Sequence, residues 1–261
     1  MLPLILALML QSGVSASADQ SAVQPAPGTQ QTAAETVELW QGLKTGMTPQ
    51  EAAATLSAVE GVRKVKVVND RKPNDPRRIE VSFTGSGYVV AGVPFQIGAI
   101  FKAARLDKAL IQSGELCASV FPEAFTPIRD GLNKKYGKPL FEEKDLDELA
   151  ILEALDESSR LGQPVSRVMG FASGKVAAYV DVTFNREPRL ARPYGMGRMM
   201  ESLWQIAEQE QRNKIMSCPN NSGLDRIKIG IIYMQADEMT AMIDGAKAAA
   251  KKAAEDTSGK L

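Results

Sequence analysis

The chain has 261 residues, its 31 basic and 31 acidic side chains cancel, and it contains no histidine. The cancelled charge excludes a dedicated nucleic-acid binder, which needs a basic excess to meet phosphate. Without imidazole there is no Ser-His-Asp or Cys-His nucleophile, no histidine general base and no imidazole zinc site. No serine has a lysine three residues on, so the Ser-Lys alternative is excluded as well; chemistry carried by carboxylates alone is not.

Leu2 to Leu10 is apolar apart from Pro3, and small residues follow as far as Ala16-Ser17-Ala18, just before Asp19. An apolar run this short cannot span a bilayer, which takes about 20 residues. Ended by an A-x-A pattern, it reads as a secretory signal peptide over 1–18, although its first residues carry no Lys or Arg. The expected destination is the periplasm, with no transmembrane segment left after cleavage. No cysteine stands at the new amino terminus, so no lipid anchor is expected. Residues 19–35, rich in Gln, Ala and Ser with Pro25 and Pro27, read as a flexible linker.

Val37, Leu39, Trp40 and Leu43 are spaced for one face of a short helix ending at Gly46. A second helix opens on Thr48-Pro49-Gln50-Glu51, where Thr48 caps, Pro49 suits the first helical position and Glu51 closes a capping box. It carries Leu56 and Val59 and stops at Gly61. The period then changes to two. Val62, Val65 and Val67 alternate with basic residues, and Ile79, Val81 and Phe83 alternate after a loop over 69–76. Gly85-Ser86-Gly87 is expected to turn the chain into Tyr88-Val89-Val90, with further strands at 95–102 and 105–112.

A second pass of helices and strands follows. Phe125, Ile128, Leu132 and Tyr136 define a helix over 121–136, and 142–161 is a second helical stretch. Strands are expected at 167–171 and 175–184. Met196, Met199, Met200, Leu203 and Ala207 form an amphipathic stripe. Ile227, Ile229, Ile231 and Tyr233 mark a strand, and a last helix starts near Glu238. The pattern predicts an α+β fold, with helices on one face of an antiparallel sheet and two helix-helix-strand repeats. The corresponding modules are 36–114 and 115–250, followed by a disordered tail over 251–261. Val65, Val67, Val81 and Phe83 should pack with Leu43 and Leu56, and Ile227, Ile229 and Ile231 with Met199, Met200 and Leu203.

The run Gly42-Leu43-Lys44-Thr45-Gly46-Met47-Thr48-Pro49-Gln50-Glu51-Ala52 resembles the start of the BamE-like family of small outer-membrane-assembly lipoproteins. In that family a Gly-Met-Thr-x-x-Glu element opens the second of two helices packed on a short antiparallel sheet. The β-lactamase-inhibitor-protein family is similar, with two such units in tandem. The resemblance implies this fold and an envelope location, and it carries over no binding site. The family's lipid-bearing cysteine is missing here.

Cys117 and Cys218 are an even pair in an exported chain and point to a disulfide, with two separately buried thiols as the alternative. Arg63, Lys64, Lys66, Arg71, Lys72, Arg77 and Arg78 cluster on a strand-loop-strand unit. They either meet an anionic surface or acidic partner, or protect a sheet edge from pairing. The acidic run from Glu142 to Glu157 has no glycine for a calcium-loop turn, and its leucines at 146, 149, 152 and 155 make it a solvated helix face. Gly85, Gly87 and Gly92 precede strand, not helix, and read as a hairpin rather than a phosphate loop. Met196, Met199 and Met200 with Trp204 form either a stripe packed on the sheet or an adaptable binding face.

No metal and no cofactor are expected. The favoured function is an exported, non-enzymatic protein that works through protein or envelope contacts. The alternatives are a periplasmic hydrolase using carboxylates and a carrier of an apolar ligand. An open apolar or charged sheet face favours the first, a pocket with two facing carboxylates the second, and a closed apolar cavity the third.

Overall fold

The structure, a computed structural model, describes residues 36–71, 79–143, 146–191 and 198–258. The expected leader and linker over 1–35, Lys72, Arg77, Arg78, Asp145, Met196 and residues 259–261 lie outside these residues. For Arg71, Val81, Phe83, Met199 and the helical residues 250–258 only the backbone is described.

The described chain begins with a hairpin, β1 (Glu38–Trp40) and β2 (Leu43–Lys44), where the spacing predicts a helix. Gln41 and Gly42 both have positive φ, 47° and 81°, and place Trp40 opposite Leu43. Two left-handed residues in a two-residue loop match the twist of paired strands. The Thr45 hydroxyl accepts the Val37 N–H at 2.9 Å, and the Thr45 N–H donates to the Val37 carbonyl at 2.8 Å. The apolar spacing of 37–43 fits either element, and the Gln-Gly turn decides between them.

Helix α1 (Pro49–Ser57) starts on a complete capping box. The Thr48 N–H donates to Glu51 Oε2 at 2.7 Å, and the Glu51 N–H donates to Thr48 Oγ1 at 3.3 Å. These bonds hold the Glu51 carboxyl below its ordinary range. Strands β3 (Arg63–Arg71), β4 (Ile79–Val90), β5 (Val93–Lys102) and β6 (Arg105–Ser113) follow as an antiparallel meander. The turn expected at Gly85-Ser86-Gly87 is instead an irregularity inside β4, where pairing with β5 shifts between Ser86 and Tyr88. The chain reverses later, at Ala91-Gly92, between Val90 and its partner Val93.

The rest runs β7 (Leu116–Cys117), α2 (Phe121–Tyr136), β8 (Phe141–Glu142), α3 (Glu148–Leu161), β9 (Val165–Ser173), β10 (Val176–Arg186), α4 (Arg198–Met216), β11 (Asp225–Gln235) and α5 (Ala236–Ser258). Among the described residues one nine-stranded sheet has the order β3-β4-β5-β6-β11-β10-β9-β8, with β7 beside β11. Every pairing in it is antiparallel. The fold is α+β. The last strand in sequence sits at the centre of the sheet and joins the meander to β10.

Period-two alternation gives the sheet two unlike faces. On the inner face Ile97, Val180, Val182, Phe184, Ile227 and Ile229 belong to one core with the hairpin, α1, α2 and α3. Leu43 and Leu56 are fully buried in it, and Val65 and Val67 pack against it. On the outer face α5 places Met239, Met242 and Ile243 on Ala177, Tyr179 and Met234 of β10 and β11. There the Phe141 ring lies over Gly170, where any Cβ would overlap it, so glycine is the residue that fits.

The packing of Ile227, Ile229 and Ile231 on the methionine stripe is corrected. Met200 and Leu203 are 55% and 57% exposed, and the core side chains of α2 share the cluster of those isoleucines. Helix α4 is instead tied down by its polar side. The Gln211 amide bonds the Leu190 N–H and the Pro188 carbonyl, and Lys214 pairs with Glu187. That turns the apolar stripe outward. The leucines of the acidic run divide as well: Leu146 and Leu155 are buried, Leu149 and Leu152 exposed.

Candidate functional site

Helix α5 covers the outer face at β9, β10 and β11 and reaches as far as β6, where Glu238 pairs with Lys108. On β5 and at the end of β4 the outward residues are open: Pro94 and Gln96 are exposed, Val89 is 57% and Ile100 43% exposed. Pairing places Gln96, Gln112, Gly230 and Asp181 side by side across β5, β6, β11 and β10. Gly230 has no side chain, so the row dips at the sheet centre. At its end burial pushes the Asp181 carboxyl above its ordinary range, the Ser166 and Thr183 hydroxyls oppose the shift, and the Glu143 charge adds to it. The Asp181 carboxyl thus senses the Glu143 charge on this sheet face.

A cleft of about 370 Å³ opens on the inner face, between the hairpin, the sheet and α2. Trp40 meets Tyr88 edge-on at 5.2 Å between centroids and stacks on Tyr233 at 6.4 Å and 25°. Lys135 Nζ stands 5.1 Å from the Tyr136 ring and 6.0 Å from that of Tyr233. Burial pushes the Tyr233 phenol far above its usual range, and the neighbouring Tyr136 and Tyr88 phenols reinforce the shift. Three of the chain's five tyrosines and one of its two tryptophans meet here.

The helical wall of the cleft carries Pro127, Gly131 and Lys135, each four residues from the next, beside the buried Ile128 and Leu132. Proline inside a helix costs about 3 kcal/mol and glycine about 1 kcal/mol relative to alanine. The proline and the glycine in the interior of α2 therefore both face this space, while Pro122 sits in the first turn, where proline is tolerated. A Cβ added at Gly131 meets no atom within 4 Å, so the helix lies clear of the aromatic wall there. A larger hollow of about 560 Å³ lies at the end of the sheet, lined by Thr36, Thr45, Lys175, Gln235 and Asp237 among others. No aromatic side chain lines it.

The residues singled out from sequence lie elsewhere. Cys117 and Cys218 are bonded, with Cα atoms 5.7 Å apart, and join β7 to the segment after α4. Arg226 braces the same loop by donating to Ser217 Oγ at 2.6 Å and to the Gly223 carbonyl at 2.8 Å. Arg63, Lys64 and Lys66 are exposed on β3, the edge strand, where charge discourages further pairing. The acidic run is dispersed: Asp147 caps α3 by accepting the Ala150 N–H, while Glu157 and Asp156 pair with Arg167 and Arg186.

The aromatic cleft was not singled out from sequence, because its walls come from four separate elements. The one local signal is the Pro127/Gly131/Lys135 spacing within an otherwise regular helix. Among the described residues no group of side chains is arranged to hold a metal ion, and no helix is long and apolar enough to cross a membrane. Comparison with known protein families, with curated proteins and with solved structures finds no match for this chain.

Proposed function

We propose that this is an exported periplasmic protein that acts by contact with a protein partner of the cell envelope, and not by catalysis. The observation that carries the reading is the outer face of β5 and the end of β4, open to solvent with Val89, Pro94, Gln96 and Ile100 exposed. Val89 beside Pro94 and Ile100 beside Lys108 mark the two ends of this face, a mixed polar and apolar strip of the composition that protein interfaces share. Basic β3 borders it, so the complementary surface is acidic at that margin. The apolar run and A-x-A pattern of 1–18 support export. The BamE-like resemblance of residues 42–52 supports an envelope role, with a hairpin standing where that family has its first helix.

Photo-crosslinking in the native host tests this reading. A photoreactive residue at Gln96 or Gln112 should capture one protein of discrete mass, and the same residue at Leu152, exposed on α3, should not. Equal capture at all three positions, or none at the first two, overturns the reading. Amino-terminal sequencing of the same periplasmic protein should begin at Asp19; an intact Met1 in the cytoplasm sinks the export assignment.

A further inference from the structure

We infer that the cleft between the β1–β2 hairpin, the inner sheet face and α2 binds a small planar aromatic acid. The site lies on the opposite side of the sheet from the proposed contact face and does not depend on it. Three features converge. The lining carries the rings of Trp40, Tyr88 and Tyr233, of which Tyr88 is half-buried and the other two are buried beneath it, and an aromatic lining favours a flat partner through offset and edge contacts. The floor, with Phe95, Ile111 and Ile231, is buried and apolar. The volume of about 370 Å³ lies within the range of small-molecule sites.

The charge at the mouth sets the ligand's polarity. Lys135 is exposed there, is held over the Tyr136 and Tyr233 rings, and has no carboxylate partner among the described residues. The other charged group of the cleft, Glu38, accepts the Gly42 N–H at 3.2 Å. The ammonium is therefore the group free to take an anion, and an acid with its ring between Trp40 and Gly131 meets it. The space itself is kept by α2. Pro127 and Gly131 weaken the helix on the side that lines the cleft, and a Gly131 side chain would enter the gap without touching any present atom. Departures from local preference concentrate where a protein has a function to serve.

The test uses the full mature protein in a Trp204→Phe background, so that fluorescence comes from Trp40 alone; Trp204 stands on α4 and is not part of the cleft. The probes are 2-naphthoate and its neutral analogue 2-naphthylmethanol. Naphthoate should change Trp40 emission saturably with one site per chain. Lys135→Gln should weaken naphthoate about tenfold and leave 2-naphthylmethanol unchanged. Gly131→Leu should abolish binding of both while the melting temperature stays level or rises. Gly131→Leu that binds like the parent, or naphthoate without saturation, overturns the inference. Equal loss of both probes in Lys135→Gln overturns the acid specificity. Thermal melting of each variant separates failure to fold from failure to bind.

Discussion

β11 pairs with β6 through Gly230–Tyr233 and with β7 through Arg226–Ile227, which leaves Ile229 facing the break between those two strands. Ser113 fills the break. Its hydroxyl accepts the Ile229 N–H at 2.9 Å and donates to the Gly114 carbonyl at 2.8 Å, and the residue is buried. Removing the hydroxyl would orphan a buried backbone donor, so Ser113→Ala should cost about 1–3 kcal/mol in urea denaturation. A change within error would mean that water replaces the hydroxyl. Asp181 carries the opposite sign. Burial raises its folded pKa above the unfolded value, so its contribution to stability is most favourable below the ordinary aspartate range and is lost as pH rises through the folded value. Asp181→Asn should therefore be more stable than the parent near pH 7, with the difference closing near pH 3, below the ordinary aspartate pKa. Denaturation curves at the two pH values check the sign; a gap that widens toward acid would refute it.

At the scale of elements, the sequence was legible wherever the deciding chemistry is local. The capping box of α1 can be read from Thr48 and Glu51 alone, and period two marks most of the long strands. The hairpin of β1 and β2 was hidden because Leu39, Trp40 and Leu43 satisfy a helical spacing too, and the turn is Gln-Gly rather than the stronger Asn-Gly. The outward stripe of α4 was misread for a different reason: amphipathicity shows that a helix has an apolar side, not which side its neighbours hold. The turn between β5 and β6 is the sharpest conflict with local preference. Ala103 and Ala104 both have positive φ, 49° and 59°, a left-handed conformation that costs an L-residue about 1–2 kcal/mol. Replacing the pair by Asn-Gly should stabilise the protein by roughly 1–2 kcal/mol, read as a higher urea midpoint at unchanged slope. Loss of stability would show that the alanine methyls make contacts that outweigh the strain.

On the whole-molecule scale, sequence order and spatial order diverge. β11 is the last strand among the described residues, yet it lies between β6 and β10, so strand pairing joins the meander to the β8–β10 half of the sheet through it. Long-range pairing of this sort leaves no mark on a local pattern, which is why the sequence suggested two successive modules. The inner core crosses the same line, since Trp40 of the hairpin stacks on Tyr233 of β11. The Cys117–Cys218 bond acts at this join: β7 pairs with the start of β11, and Cys218 lies in the loop that leads into it. Closing a loop over a separation of 101 residues restricts the unfolded chain by roughly 4–5 kcal/mol in the entropic description. The Cys117→Ser/Cys218→Ser variant should lose about that much, and the parent under reductant should match it. Because β11 bridges both halves of the sheet, each form should still unfold in one transition, with Trp40 fluorescence and far-ultraviolet circular dichroism coinciding. Two separated transitions, with the Trp40 signal following only the first, would establish 36–114 as an independent folding unit and return the molecule to a two-module description.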